Sequence, residues 1–387
     1  MKVGLVGKPN AGKSTFFSAA TQAPAQIGDY PFTTINANKG MSHVTTPCAC
    51  NNFNITCNNC NEGTRLIPIE LIDVAGLVPG AHEGKGMGNQ FLDDLRQASV
   101  LIQIVDASGK TDLEGNASSD SPPEKEVEFL KNEIHHWISS ILMRNWARTS
   151  RSVEAGEKLE VFLSDRLAGL QITPGQITTA LRQTELPASV HSWTDEHALS
   201  LAKNIQKIGK PIIIAANKAD ISTDANLDTL TSLGGIPTAS DLELALRNAH
   251  NSGVIHYDLG NSNFNIISAD KLNEQQINAL KKISDYLNKF NSTGVQKCIE
   301  EAVFNKLDLI TAYPVEDETH YADGEGNVLP DCYLLPRNST ALDLAYKVHT
   351  DIGDGFIRAI DCKTKRVIGK DSELKDGDVV KIVSQKS

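Results

Sequence analysis

The stretch Gly7-Lys8-Pro9-Asn10-Ala11-Gly12-Lys13-Ser14 leaves the start of this chain few ways to fold. It follows a short apolar run, Val3 to Val6, that predicts a buried strand, and it runs into Ser14 to Ala20, which predicts a helix start. Strand, glycine-rich loop and helix are the context in which G-x-x-x-x-G-K-[ST] cradles phosphate. Gly7 and Gly12 let the backbone wrap closely, so that successive N–H groups and the helix N-terminus face the anion. The expected binding segment is Gly7, Lys8, Pro9, Asn10, Ala11, Gly12, Lys13, Ser14 and Thr15. Lys13 is expected along the β- and γ-phosphates, with the Ser14 hydroxyl on magnesium. An ordinary glycine-rich turn would need neither the flanking strand nor the helix.

The chain has 387 residues, enough for two or three domains. Its net charge of −11 argues against a general basic surface for nucleic acid, while leaving room for a local patch. No run approaches the roughly 18 apolar residues of a membrane span. The N-terminus enters a strand directly, which predicts no signal peptide and a cytoplasmic location. Four of the seven cysteines lie between positions 48 and 60, a clustering that in a reducing compartment suggests metal more than disulfides.

Further along, Asp29-Tyr30-Pro31-Phe32-Thr33-Thr34 suits a first switch in which one threonine reaches magnesium and the γ-phosphate. Thr34 is the first choice and Thr33 the alternative. Cys48-Ala49-Cys50 and Cys57-Asn58-Asn59-Cys60 follow, spaced to converge on a tetrahedral zinc, the competing reading being a hairpin tip with incidental thiols. Next, Pro68 to Leu77 reads as a strand ending in D-x-x-G. Asp73 is expected to hold magnesium through water in the Walker B manner, and the Gly76 N–H to sense the γ-phosphate. The glycine-rich stretch from Val78 to Leu92 reads as a mobile second switch.

Val100 to Val105 predicts another buried strand, followed by Asp106-Ala107-Ser108-Gly109. Helical spacing then runs through Val127, Leu130, Ile134, Trp137, Ile138 and Leu142, with His135 and His136 read as core-edge or surface residues. The sheet resumes at Pro211 to Ala216, ending in Asn217-Lys218-Ala219-Asp220. The Asp220 carboxylate can accept from the N1–H and exocyclic amine of guanine, whereas adenine would leave it unpaired. The Lys218 stem can cover the base, and Asn217 can tie this loop to the phosphate loop. Backbone amides of Thr238, Ala239 and Ser240 are expected at guanine O6, with Ser268-Ala269-Asp270 as the second candidate. From Tyr313 onward, strands around one helix capped by Ser339 suggest a small α+β module.

With these elements in order, the chain resembles a translation-factor-related GTPase of the Obg family, in the YchF branch and its archaeal form. The resemblance rests on GKPNAGKST at 7 to 15, DYPFTT at 29 to 34, DVAGLVPGAHEGKGMGNQFLDDLRQA at 73 to 98, DASG at 106, NKAD at 217 and YPVEDE at 313. The closing STALDLAYKVHTDIGDGFIRAID resembles a TGS domain, a ubiquitin-like β-grasp module.

The resemblance implies an α/β fold: a Ras-like P-loop NTPase domain with a helical insertion and a C-terminal TGS domain. The expected divisions are 1–110 for the first part of the nucleotide domain, including a Cys loop at 41–66. A helical insertion at 111–205, a second nucleotide part at 206–305 and the TGS domain at 306–387 complete the chain.

It implies GTP hydrolysis to GDP and phosphate as a molecular switch, association with ribosomes or RNA through the TGS domain, no membrane partner, and a monomer. Lys13, Asp73, Gly76 and Asn10 are the expected catalytic group. Bacterial and eukaryotic relatives usually carry N-x-x-E and prefer ATP; Asp220 restores the guanine reading here. Two alternatives remain: an ATP-preferring ATPase, or a nucleotide-stabilised module that binds RNA or protein. Leu77 stands where Ras-like enzymes place a water-orienting Gln. Asn10 resembles an asparagine that ligates potassium in related GTPases, the alternative being that it braces the loop.

Overall fold

The computed structural model describes residues 1–22, 34–36, 38–74, 80, 88–119 and 121–385, with residues 34–36, 88–90 and 92 described in backbone only. The chain opens with β1 (Lys2–Val6), the phosphate loop and α1 (Lys13–Thr21). It continues through β2 (Thr34–Asn36), β3 (Lys39–Pro47), the single turn α2 (Cys50–Phe53), β4 (Cys60–Asn61) and β5 (Thr64–Asp73). After α3 (Gly88–Gln97) and β6 (Val100–Asp106) comes the helical stretch α4 (Glu124–Met143), α5 (Trp146–Glu154), α6 (Leu159–Leu167), α7 (Pro174–Gln183) and α8 (Asp195–Gly209). Then follow β7 (Ile212–Asn217), α9 (Asp224–Ser232), β8 (Ile236–Pro237), α10 (Ser240–Asn251), the hairpin β9 (Ile255–His256) with β10 (Asn265–Ile266), α11 (Glu274–Phe290) and α12 (Val295–Glu300).

Among the described residues one sheet runs in the order β2-β3-β5-β1-β6-β7-β8, with β4 added beside β5. β5, β1, β6, β7 and β8 pair parallel, so their carboxyl ends share one edge. β1 and β6 are buried almost throughout, as strands covered on both faces must be. One face packs on the helices: Val6, Ile72, Phe91, Leu95 and Leu101 share a core with Leu130, Ile134, Trp137, Leu163, Leu201 and Ile205. Trp146 and Trp193 stack at 5.2 Å within it.

The C-terminal segment supplies β11 (Leu309–Val315), β12 (Tyr333–Pro336), α13 (Ala341–Val348), α14 (Thr350–Asp354), β13 (Phe356–Asp361), β14 (Arg366–Ile368) and β15 (Asp378–Ser384). Its sheet order is β12-β11-β15-β13-β14, with β11 and β15 parallel at the centre. α13 starts one residue later than the sequence suggests. Thr340, not Ser339, is the cap: the Asp343 amide donates to its hydroxyl at 3.3 Å, and the Thr340 amide donates back to the Asp343 carboxylate at 2.7 Å. Ala341, Leu344 and Ala345 face inward, and Leu344 meets Ile310, Leu335, Ala359 and Val380.

The chain divides into two compact units, Met1–Ser42 with Ile69–Ala302, and His43–Pro68 with Val303–Ser387. The cysteine-bearing segment, placed by chain order with the nucleotide domain, therefore groups with the C-terminal module. The reason is its apolar content. Phe53 and Ile55 share a cluster with Tyr313, Val315, Leu329 and Val379.

Candidate nucleotide site

Strand register brings the expected residues together at the carboxyl edge of the parallel strands, where open α/β sheets bind their ligands. Leu5 pairs with Asp73, Asp106 with Asn217, and Ala216 with Pro237. The phosphate loop leaves β1 at the centre of this row. Gly7 has no room for a side chain, since a Cβ would lie 2.6 Å from the Ile104 carbonyl. Gly12 is required twice over: its φ is +93°, and a Cβ would meet Asn217 Nδ2 at 2.2 Å. The first helical bond of α1 runs from the Phe16 amide to the Gly12 carbonyl at 2.9 Å. The amides of Lys13, Ser14 and Thr15 thus have no intrahelical acceptor and suit an anion.

The Lys13 ammonium is paired with the Asp73 carboxylate. Ser14 is exposed, on the first turn of α1. Asn10, at φ 62°, donates from Nδ2 to the Gly115 carbonyl at 3.0 Å. Lys8 turns away from the loop altogether. Its ammonium is buried in an ion pair with Glu126 at 2.7 Å, and it also donates to the Thr111 carbonyl and hydroxyl and the Asp112 carbonyl. Burial pushes Glu126 up to about 7, with Lys8 opposing.

On the base-reading side, Asn217 is buried and clamps two segments. Its Nδ2 donates to the Ala11 carbonyl at 2.9 Å, and its Oδ1 accepts from the Ser240 amide at 3.1 Å and hydroxyl at 2.8 Å. Lys218 donates to the Asn10 carbonyl at 2.7 Å and to Asp106 at 2.9 Å. Burial opposes ionisation of Asp106, but hydrogen bonds from Ser108, Thr111 and Lys218 outweigh it and hold its pKa low. Asp220 as a residue is exposed, yet its carboxyl has lost part of its water; that desolvation, with Asp241 nearby, raises its pKa.

The expected amide contacts to guanine O6 need correction. Thr238 N–H donates to the Ala216 carbonyl, Ala239 N–H to the Thr293 carbonyl, and Ser240 N–H to Asn217. Each is already engaged, and their work is to close β8 and α10 around Asn217. The alternative segment, Ser268 to Asp270, lies just after the β10 edge of a separate two-stranded hairpin. Thr34 has its backbone on β2, paired with Gly40, but its side chain lies outside the described residues, as do Thr33, Gly76 and Leu77.

Sequence reasoning missed Glu126 and Glu133. Glu126 Oε2 accepts from the Asp106 amide at 3.1 Å, and Glu133 Oε1 from the Gly80 amide at 2.9 Å. The signal was available. Both carboxylates occupy the apolar face of α4 that also carries Val127, Leu130 and Ile134.

Family models agree with this architecture: "50S ribosome-binding GTPase" matches residues 2–143, "Obg-like GTPase YGR210-like, G4 motif-containing domain" 215–317, and "TGS domain" 325–384. A GTP-binding protein of Methanocaldococcus jannaschii, described as uncharacterized, is 51% identical across 99% of this chain and 98% of its own length. This chain belongs to the Obg-like GTPase family. A crystal structure of a GTP-binding protein from Pyrococcus horikoshii is 38% identical, with TM-score 0.79 over 99% of this chain and all of that one. The YchF relative from Mycoplasma genitalium, named a ribosome-binding ATPase, is 26% identical over 98% of both chains. No helix among the described residues is long and apolar enough to cross a membrane.

Proposed function

We propose that this Obg-like protein binds GTP, hydrolyses it to GDP and phosphate, and uses the cycle as a switch at the ribosome. The observation that carries this reading is the Asn217 clamp. It ties the strand end bearing Asp220 to both the phosphate loop and the start of α10, so that base and phosphate readers form one rigid edge. Asp220 selects guanine, because only guanine offers two donors to its carboxylate. With the amides of residues 238–240 engaged, the next free donors for O6 are the first-turn amides of Asp241 and Leu242, which have no acceptor inside α10.

Magnesium fits the oxygen donors here: the exposed Ser14 hydroxyl, and the Asp73 carboxylate already held in place by a cation. Thr34 is assigned to the same ion. When bound, the ion offsets charge on the β- and γ-phosphates. Lys13 then exchanges Asp73 for phosphate oxygens, one anion for another. Gly76 supplies the amide that senses the γ-phosphate. Asn10 braces the loop through Nδ2, which leaves Oδ1 as its potassium-ligating atom. Hydrolysis is slow without a partner, since Leu77 can orient no water. The four cysteines belong to a zinc ion with no part in this chemistry.

Ribosome engagement is drawn from the relatives' names and assigned to the TGS domain. Phosphate release from GTP and from ATP, with and without ribosomes and in potassium or sodium, tests the reading. GTP turnover that rises with ribosomes and with potassium is expected. Equal rates in the two salts would reduce Asn10 to a brace, and turnover of ATP alone would sink the guanine assignment.

A further inference from the structure

The thiols at the tip carried by β3 and β5 take no part in nucleotide handling, yet their spacing is that of a metal cage. Sγ of Cys48 lies 3.7 Å from Cys57, Cys50 lies 3.7 Å from Cys60, and Cys57 lies 3.4 Å from Cys60; all four sulfurs fall within 4.8 Å of one another. A tetrahedral zinc with Zn–S bonds of about 2.3 Å places its sulfurs about 3.8 Å apart. A disulfide would bring two of them to about 2.05 Å. Four mutually adjacent sulfurs suit one ion, whereas a cluster of several irons would spread them.

The backbone supports this arrangement independently of any metal. Cys48 and Cys50 bracket the entry to α2, which ends at Asn54 in the left-handed region. The opposite arm turns at Glu62 and Gly63, both at positive φ, and the Gly63 carbonyl accepts from the Cys48 amide at 2.7 Å. Few large apolar side chains hold the tip. Asn51, Asn52, Asn54, Asn58, Asn59 and Asn61 crowd the segment, leaving Phe53 and Ile55 as its large apolar residues. Such a segment draws folding energy from a structural metal, because the site is not preformed in the unfolded chain.

What the tip grips is specific. Arg65, 5% exposed, donates to the carbonyls of Leu329 at 3.0 Å and Pro330 at 2.6 Å. Asn59 Nδ2 donates to the Val328 carbonyl at 3.2 Å, and the Phe53 ring lies 4.3 Å from that of Tyr321. We propose that Cys48, Cys50, Cys57 and Cys60 bind one zinc ion as a closed structural centre, and that this centre locks residues 43–68 onto the C-terminal β-grasp as part of the same folding module. The docking role rests on the zinc assignment above and is independent of the nucleotide reading.

Metal analysis by mass spectrometry of the whole chain, purified without a metal-affinity tag, is expected to give about one zinc per chain. Cobalt exchanged into the site is expected to show the visible bands of tetrahedral thiolate coordination. Cys57→Ser with Cys60→Ser is expected to abolish zinc binding and to speed amide hydrogen exchange both in 43–68 and around 328–330. Arg65→Met separates the two claims: zinc is retained while exchange around 328–330 rises. Absence of zinc from the native protein, iron in its place, or paired disulfides would overturn the metal site. Unchanged exchange around 328–330 in the zinc-free variant would overturn the docking role. GTP turnover on the same samples reports separately on the switch.

Discussion

Lys8 occupies a loop built to meet phosphate, and it faces the other way. Its ammonium and the Glu126 carboxylate are both almost fully buried, so neither tolerates loss of the other. Lys8→Met is expected to destabilise the fold by about 3–5 kcal/mol, the usual result of stranding a buried charge. The pH dependence has a definite sign. Glu126 titrates near 4.5 when unfolded and is raised to about 7 by burial in the fold, with Lys8 pulling it down. Between those values the folded chain holds more protons than the unfolded chain, so this group's contribution weakens as pH rises. Without Lys8 the folded pKa climbs further. The deficit of Lys8→Met, measured by urea unfolding, is therefore expected to be smaller at pH 5 than at pH 8; equal deficits would contradict the assignment.

Elements repeat this dependence on surroundings. Asp112-Leu113-Glu114-Gly115-Asn116 and Asp323-Gly324-Glu325-Gly326-Asn327 share a D-x-E-G-N pattern and fold alike. In each, the aspartate Oδ1 accepts from the Glu and Asn amides at 3.0 and 2.8 Å, and the glycine before the Asn has positive φ, +87° at Gly115 and +89° at Gly326. Local sequence dictates the turn, but not its neighbours. A Cβ on Gly115 would meet Pro9 Cβ at 2.8 Å, while one on Gly326 would meet nothing within 4 Å. Gly326→Ala is expected to cost about 1–2 kcal/mol from backbone strain alone. Gly115→Ala should cost more and also weaken GDP binding by displacing the phosphate loop; unfolding and titration of both variants check this. Lys210 works similarly, donating to the carbonyls of Arg96 and Ala98 at the end of α3. Lys210→Met leaves those carbonyls unpaired and is expected to cost about 1–3 kcal/mol in urea unfolding.

These contrasts also explain what was legible beforehand. The phosphate loop, the strand ends at Asp73 and Asn217, and the single main helix of the C-terminal module follow from short-range rules: glycine positions, apolar runs and capping. The partners of Lys8, the engaged amides of residues 238–240 and the grouping of the cysteine tip with the C-terminal segment do not. Each depends on segments far apart in the chain, such as Lys8 with Glu126 or Arg65 with Leu329. Composition alone carries no register for them.

At the scale of the whole molecule, one parallel sheet edge joins phosphate and base readers, while a second module carries a thiol cage. The proposed switch depends on guanine selection by Asp220, held in reach by the Asn217 clamp. Its raised pKa adds that guanine affinity should begin to fall, on acidification, at a higher pH than an ordinary aspartate would allow. The direct measurement is calorimetric titration of GDP and of non-hydrolysable GTP and ATP analogues into the wild type and Asp220→Glu. Tight guanine binding with weak ATP binding, and loss of that preference in the variant, is the expected result. ATP-analogue binding as tight as GTP-analogue binding in the wild type would contradict it.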